Sequence, residues 1–94
     1  MVTIEFHEVH HYPHQEEVFS TRVSLPWQNQ FGLAFKLAHD QRHPGHNANP
    51  SDYRYMAEIP GQGLMFISPQ LRPADIGLGS EGNTVKVWII SRDN

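Results

Sequence analysis

The 94-residue sequence contains no cysteine. Disulfide scaffolds, zinc sites with thiolate ligands and cysteine nucleophiles are therefore excluded. Because small extracellular domains commonly depend on disulfides for stability, the absence of cysteine favours a cytoplasmic protein. The first eleven residues also lack the basic segment and the long apolar segment that are typical of a signal peptide.

Charged residues are scarce, at 18% of the chain, and the formal net charge is −3. Proteins that bind nucleic acid backbones or anionic membrane surfaces carry a surplus of lysine and arginine. This chain instead has 7 basic and 10 acidic residues, which argues against nucleic acid or a membrane as its partner. No apolar run approaches the ~20 residues that a membrane-spanning helix needs.

The motifs of the common cofactor and hydrolase sites are absent as well. The chain has no glycine-rich phosphate loop, no G-x-S-x-G, no H-E-x-x-H and no calcium-binding loop. Its length suits one domain over residues 1–94, and its 38% hydrophobic residues supply one modest core. We therefore expect a single domain that requires no cofactor, and the pattern favours a protein that is not an enzyme.

Apolar and polar residues alternate in several segments with the period of a half-buried strand. The alternation predicts strands over residues 2–9, 17–25, 53–59 and 85–90, and a short apolar run predicts a strand over 64–67. From Trp27 to Ala38 the apolar spacing changes to three and four residues, which indicates an amphipathic helix that Pro26 begins and Pro44 ends. The order ββαβββ predicts an α+β fold with one amphipathic helix packed on a mostly antiparallel sheet of about five strands.

A single helix covers one face of such a sheet and leaves the other face open. The apolar residues that the pattern assigns to the open face are Val18, Met56, Met65, Ile67, Trp88 and Ile90. An apolar surface of this size marks a protein interface. We therefore predict a small non-catalytic protein-interaction module, of the inhibitor, immunity or adaptor type, that binds a protein partner or forms a homodimer. Its predicted partner-binding residues are Met56, Lys86, Trp88 and Ile90.

Histidine is frequent, with seven in the chain, and six of them lie in two short clusters. The clusters are His10, His11 and His14, and His39, His43 and His46. A 15-residue helix rising ~1.5 Å per residue is about as long as a seven-residue strand rising ~3.3 Å per residue. A helix that returns along the second strand should therefore end beside the first cluster, at one end of the domain. The seventh histidine, His7, is on the polar side of the first strand and is expected to be exposed.

These histidines suggest two alternatives to the interaction module. The first is a divalent-metal-binding protein that uses both clusters, because neutral imidazole binds zinc, nickel and copper and Asp40, Glu16 or Glu17 can complete the shell. The second is a metal-free enzyme in which two histidines act as general acid and base and Arg42 or Arg54 holds an anionic substrate. The simplest interpretation is that the loop histidines are solvated polar residues.

Overall fold

In the computed structural model, the residues described are 2–10, 15–23, 30–77, 82 and 84–91. They contain the strands β1 (Val2–His10), β2 (Gln15–Val23), β3 (Tyr53–Ile59), β4 (Gly63–Ile67) and β5 (Thr84–Ser91), and the helix α1 (Phe31–Arg42). Short 3-10 helices at Pro50–Asp52 and Pro73–Ile76 precede β3 and β5. The predicted fold, one helix on a five-stranded and mostly antiparallel sheet in the order ββαβββ, is confirmed.

The five strands form one sheet in the order β2-β1-β5-β3-β4. Strand β5, the last along the chain, lies between β1 and β3 and is parallel to β1. The β1–β2, β3–β4 and β3–β5 pairs are antiparallel. The first and the last third of the sequence therefore meet at the centre of the sheet, while β2 and β4 form its two edges.

The core lies between α1 and the face of the sheet that the alternation pattern predicted as inward. Val2, Ile4, Phe6, Phe19, Tyr55, Ala57, Val85, Val87 and Ile89 are buried on this face. The Phe35 ring from α1 packs at the centre, with its centroid 5.7 Å from that of Phe6 and 5.0 Å from that of Tyr53. The opposite face of the sheet carries no helix within the described part of the chain.

Two side chains of β4 point to the opposite face of the sheet from the one predicted. Register pairs Met65 with Ala57 and Ile67 with Tyr55, so both residues point toward the helix side rather than the open face. Ile67 packs against the core. The prediction was wrong because β4 is apolar on both sides, so its own sequence has no alternation and only pairing with β3 sets its parity.

The helix ends at Arg42, two residues before Pro44, which was predicted to end it; its predicted start at Pro26 and Trp27 lies outside the described residues. Gly32 sits in the first turn of α1, where the loop after β4 approaches closely: the Gly32 amide donates to the Pro69 carbonyl oxygen at 2.8 Å. No helix among the described residues is long and apolar enough to cross a membrane.

Candidate functional site

A row of side chains crosses all five strands on the open face of the sheet. Cross-strand pairing aligns, from edge to edge, Val18, His7, Trp88, Met56 and Phe66. Trp88 and Met56, at the middle, are half-buried by their neighbours, while the two ends of the row are exposed. We call these five residues the open-face row.

The four predicted partner-binding residues all lie on this face. Met56 and Trp88 belong to the open-face row and pair directly with each other. Lys86 and Ile90 precede and follow Trp88 on the same side of β5. Lys86 lies opposite Glu5 of the neighbouring strand β1. The row is therefore flanked by a mixture of apolar and charged side chains.

His7 is not exposed as predicted, because it is covered by its neighbours in the row. Its ring stacks on that of Trp88, with centroids 5.0 Å apart and planes inclined by 23°. One ring nitrogen lies 2.5 Å from a carboxylate oxygen of Glu16 and the other lies 2.9 Å from one of Glu5. The two carboxylates fix the ring, which then holds Trp88 in place.

Strand β4, at one edge of the sheet, is the most exposed apolar segment that the structure describes. Leu64, Met65 and Phe66 are 53%, 41% and 65% exposed. The sequence has no acidic, basic or histidine residue between Glu58 and Arg72. Sequence reasoning missed this edge, although a thirteen-residue span without charge was a visible signal.

Two surface depressions lie at the two ends of β4. One, of about 570 Å³, is at the β3–β4 turn and is lined by Glu58, Pro60 and Gly63 among others. The other, of about 430 Å³, is at the far end and is lined by Phe66 and Ser68 among others. Concave surface therefore adjoins the exposed apolar edge, and no histidine lines either depression.

At the end of α1, a carboxylate and two imidazoles form a hydrogen-bonded chain. His39 Nδ1 lies 3.1 Å from an oxygen of Glu8, and His39 Nε2 lies 2.9 Å from His46 Nδ1. The side chains of Glu8 and His39 are buried and that of His46 is exposed. This geometry suits donation from His39 Nδ1–H to the Glu8 carboxylate, with one proton shared between the two imidazoles. The chain runs from the core of the domain to solvent.

A second polar group joins the end of α1 to the start of β2. Arg42 Nε donates to Glu17 at 2.7 Å, and His43 Nε2 lies 3.2 Å from the other Glu17 oxygen. Burial raises the pKa of the Glu17 carboxyl, but the hydrogen bonds from Arg42 and His43 more than offset it, so this pKa lies below its usual value. These contacts place the helix end beside the start of β2, while His11 and His14, predicted to lie beside it, are outside the described residues.

The loop that carries His46 is tied back to the helix by Asp40. Lys36 Nζ donates to one Asp40 oxygen at 2.7 Å, and the backbone amide of Ala48 donates to the other at 3.1 Å. Hydrogen bonds from Lys36 and from Ala48 hold the pKa of the Asp40 carboxyl below its usual value. Asp40 therefore holds in place the loop that carries His46, which is hydrogen-bonded to His39.

The structure brings three of the six clustered histidines together. The His39 ring lies 4.8 Å from that of His43 and 5.0 Å from that of His46, measured between centroids. His10 ends β1 opposite Gln15, and His11 and His14 lie outside the described residues.

The described residues contain no group of three histidine, aspartate or glutamate side chains arranged to hold a metal ion. Both nitrogens of His39 are already in hydrogen bonds. Binding of zinc, nickel or copper through the two clusters stays a prediction.

Comparison of the chain with protein-family models, with curated proteins and with solved structures finds no match.

Proposed function

We propose that the domain is a non-catalytic protein-interaction module whose binding surface is the open face of the sheet together with β4. The observation that carries this proposal is the open-face row, which continues without a charged residue into the exposed edge strand. The partner that fits is a protein surface that is apolar at its centre and carries charges of both signs at its rim.

The composition of the row supports this proposal. Tryptophan at the centre of a patch is typical of the residues that dominate binding energy in protein interfaces. Trp88 occupies that position, and the stacked ring of His7 holds it in one orientation. A fixed aromatic side chain loses little conformational entropy when a partner binds, which favours affinity.

The charges beside the row support a protein partner over a nucleic acid. Glu5 and Lys86 occupy directly opposite positions of β1 and β5 on one side of the row, and Arg54 lies on the other side opposite Ile90. Nucleic acid surfaces need a cluster of cations to contact phosphates, whereas mixed charge at a rim is typical of protein interfaces.

The test uses the full chain with variants on the two faces of the domain. Trp88→Glu and Met56→Glu place a charge in the open-face row, and Leu37→Glu places one on α1, where Leu37 is 58% exposed. Thermal unfolding first establishes which variants retain the fold. If Trp88→Glu does not fold, Met56→Glu alone tests the open-face row. We then measure how each folded variant binds proteins in an extract of the cells from which the chain comes. The oxidation of Met56 and Trp88 by hydroxyl radicals is measured in buffer and in the same extract.

We expect wild type and Leu37→Glu to bind the same protein, and the folded open-face variants to lose at least tenfold in affinity. We also expect Met56 and Trp88 to be protected from oxidation in the complex. Binding that survives both open-face charges, or equal oxidation of Met56 and Trp88 in buffer and in extract, would overturn the proposal.

A second candidate function, general acid–base chemistry, is favoured by the Glu8–His39–His46 chain. A buried carboxylate that orients a histidine, which in turn contacts a group open to solvent, is the connectivity of a proton relay. Such an activity would fall by a hundredfold or more in Glu8→Gln and in His46→Gln while both variants stay folded. Turnover that is unchanged in a folded His46→Gln variant would exclude the relay.

A further inference from the structure

We infer that β4 binds β4 of a second copy of this chain, in an antiparallel pairing centred on Met65. This inference rests on the proposed function, because it names the occupant of one part of the same surface. The result is a symmetric dimer in which the two five-stranded sheets join at their edges.

The first argument is the contrast between the two edges of the sheet. An edge strand presents unpaired amide and carbonyl groups, and proteins that stay monomeric protect such an edge with charges, proline, bulges or a covering element. Edge strand β2 carries Glu16, Glu17 and Arg22. Edge strand β4 reads Gly-Leu-Met-Phe-Ile, and within the described residues no strand pairs with its outer side.

The second argument is the register that the five residues permit. When Met65 of one copy lies opposite Met65 of the other, all five residues of both strands are paired. On the open face, Leu64 of each copy then lies opposite Phe66 of the other copy. Apolar side chains directly opposite each other across two antiparallel strands contact each other and stabilise the pairing. The three exposed side chains of β4 are thus covered by the same three side chains of the other copy.

Other registers of the same strand leave this surface uncovered. Centring the pairing on Leu64 or on Phe66 shortens the overlap and removes the Leu64–Phe66 contact. A shift of one residue between the strands places Phe66 opposite Gly63 and turns the two sheets to opposite sides. The register centred on Met65 therefore buries the most apolar surface.

The third argument is that a second copy matches the chemistry of this edge. With no charge between Glu58 and Arg72, β4 offers a partner no charge to recognise, only backbone groups and apolar side chains. An identical strand supplies both in the correct spacing, and a twofold axis perpendicular to the sheet closes the assembly at two copies.

The dimer also extends the surface used in the proposed function. A twofold axis perpendicular to the sheet keeps both open faces on the same side. The two open-face rows then lie side by side, offset by two residues, because Phe66 of each copy is opposite Leu64 of the other. Ten strands spaced ~4.8 Å apart form a face that measures about 43 Å from the first strand to the last. Dimerisation would thereby double the width of the proposed binding surface.

The test exploits the position of Met65 on the twofold axis. Met65→Lys brings two like charges together at the dimer axis, and so does Met65→Glu, whereas an equimolar mixture of the two variants brings opposite charges together. Leu37→Lys and Leu37→Glu are the matched controls on α1. Sedimentation velocity and equilibrium of the full chain, at about 1–200 μM, measure the mass of each sample and of the mixtures.

We expect wild type and both Leu37 variants to form dimers, each Met65 variant alone to dimerise at least tenfold more weakly, and the mixed Met65 variants to recover the dimer. A monomeric wild type at about 200 μM overturns the inference. So does a dimer that Met65→Lys leaves intact, or a failure of the mixture to recover it.

The same samples separate this inference from the proposed function. A wild type that is monomeric but still shows protection of Met56 and Trp88 in extract overturns the β4 dimer and leaves the interaction module standing. A dimer that depends on Trp88 but not on Met65 places self-association on the open face, which also overturns the β4 pairing. A Met65-dependent dimer without any protection of Met56 and Trp88 supports the pairing and overturns partner binding on the row.

Discussion

His39 of the helix and Glu8 of β1, 31 residues apart in the chain, are joined by a buried hydrogen bond of 3.1 Å. The side chains are 4% and 5% exposed. Glu8 extends the buried series of Val2, Ile4 and Phe6 along β1, so its carboxylate points into the core side of the sheet. A buried carboxylate is costly unless it is hydrogen-bonded or paired, and the imidazole from the last turns of α1 satisfies it. This pair ties the helix end to the centre of the sheet.

Removing the Glu8 carboxylate should destabilise the domain. In Glu8→Ala, a buried imidazole nitrogen loses its acceptor, and we expect the free energy of unfolding to fall by about 2–3 kcal/mol. Glu8→Gln should lose less, because the amide oxygen still accepts a hydrogen bond from His39. Urea unfolding at pH 7, followed by circular dichroism, measures both.

Glu58 is the matched control, because it is exposed at the other side of the sheet. Glu58→Ala should change the free energy of unfolding by less than about 0.5 kcal/mol. Equal effects of Glu8→Ala and Glu58→Ala would contradict a stabilising role for the buried pair.

Much of this fold was predictable from local patterns, because β1, β2 and β3 alternate clearly. The position of β5 was not predicted, since its parallel pairing with β1 joins residues about eighty positions apart. A signal was nevertheless present. Val85, Val87 and Ile89 are apolar on one side of the strand, and Trp88 and Ile90 are apolar on the other, a composition typical of a central strand.

The candidate site was predictable in part. Element lengths predicted that α1 ends at the sheet end where the first histidine cluster begins, and His39 and His43 contact Glu8 of β1 and Glu17 of β2 there. The Glu8–His39 pair was missed, although Glu8 follows Phe6 at the core-facing period of β1 and His39 follows Phe35 by four positions on the helix. When two polar residues occupy core-facing positions of neighbouring elements, the sequence predicts a hydrogen bond between them, because burying either one alone would be costly.

Stability should depend on pH through Asp40. Hydrogen bonds from Lys36 and from the Ala48 amide lower the pKa of Asp40 in the folded state. The resulting stabilisation is present above the unfolded pKa of about 3.9 and is lost as the pH falls through the lower folded pKa. We expect Asp40→Asn to be less stable than wild type at pH 6, and the difference to shrink as the pH falls below about 4.

Urea unfolding between pH 6 and pH 2.5 measures this difference, and Lys36→Met completes a double-mutant cycle. The hydrogen bond from Lys36 contributes most to the lowered pKa of Asp40. The effects of the Asp40 and Lys36 substitutions on the free energy of unfolding should therefore be clearly non-additive at pH 6 and nearly additive at the lowest pH. A difference in the free energy of unfolding between wild type and Asp40→Asn that stays constant from pH 6 to pH 2.5 would contradict this account. Asp75, whose pKa is lowered by hydrogen bonds from Arg72, should leave some acid sensitivity in the Asp40 variant.

Gly32→Ala should destabilise the protein, although alanine is the better helix former by about 1 kcal/mol. A Cβ atom at position 32 would lie 2.8 Å from Pro69 Cβ, 3.0 Å from the Pro69 carbonyl oxygen and 3.1 Å from Pro50 Cβ. The same carbonyl accepts the Gly32 amide hydrogen bond, so the loop cannot withdraw without breaking that bond. We expect a net loss of about 1–3 kcal/mol, the usual cost of overpacking, measured by urea unfolding. Gln41→Ala, at an exposed position of the same helix, is the control and should be neutral or slightly stabilising. A Gly32→Ala protein that is more stable than wild type would show that the loop after β4 does not pack on α1 as described.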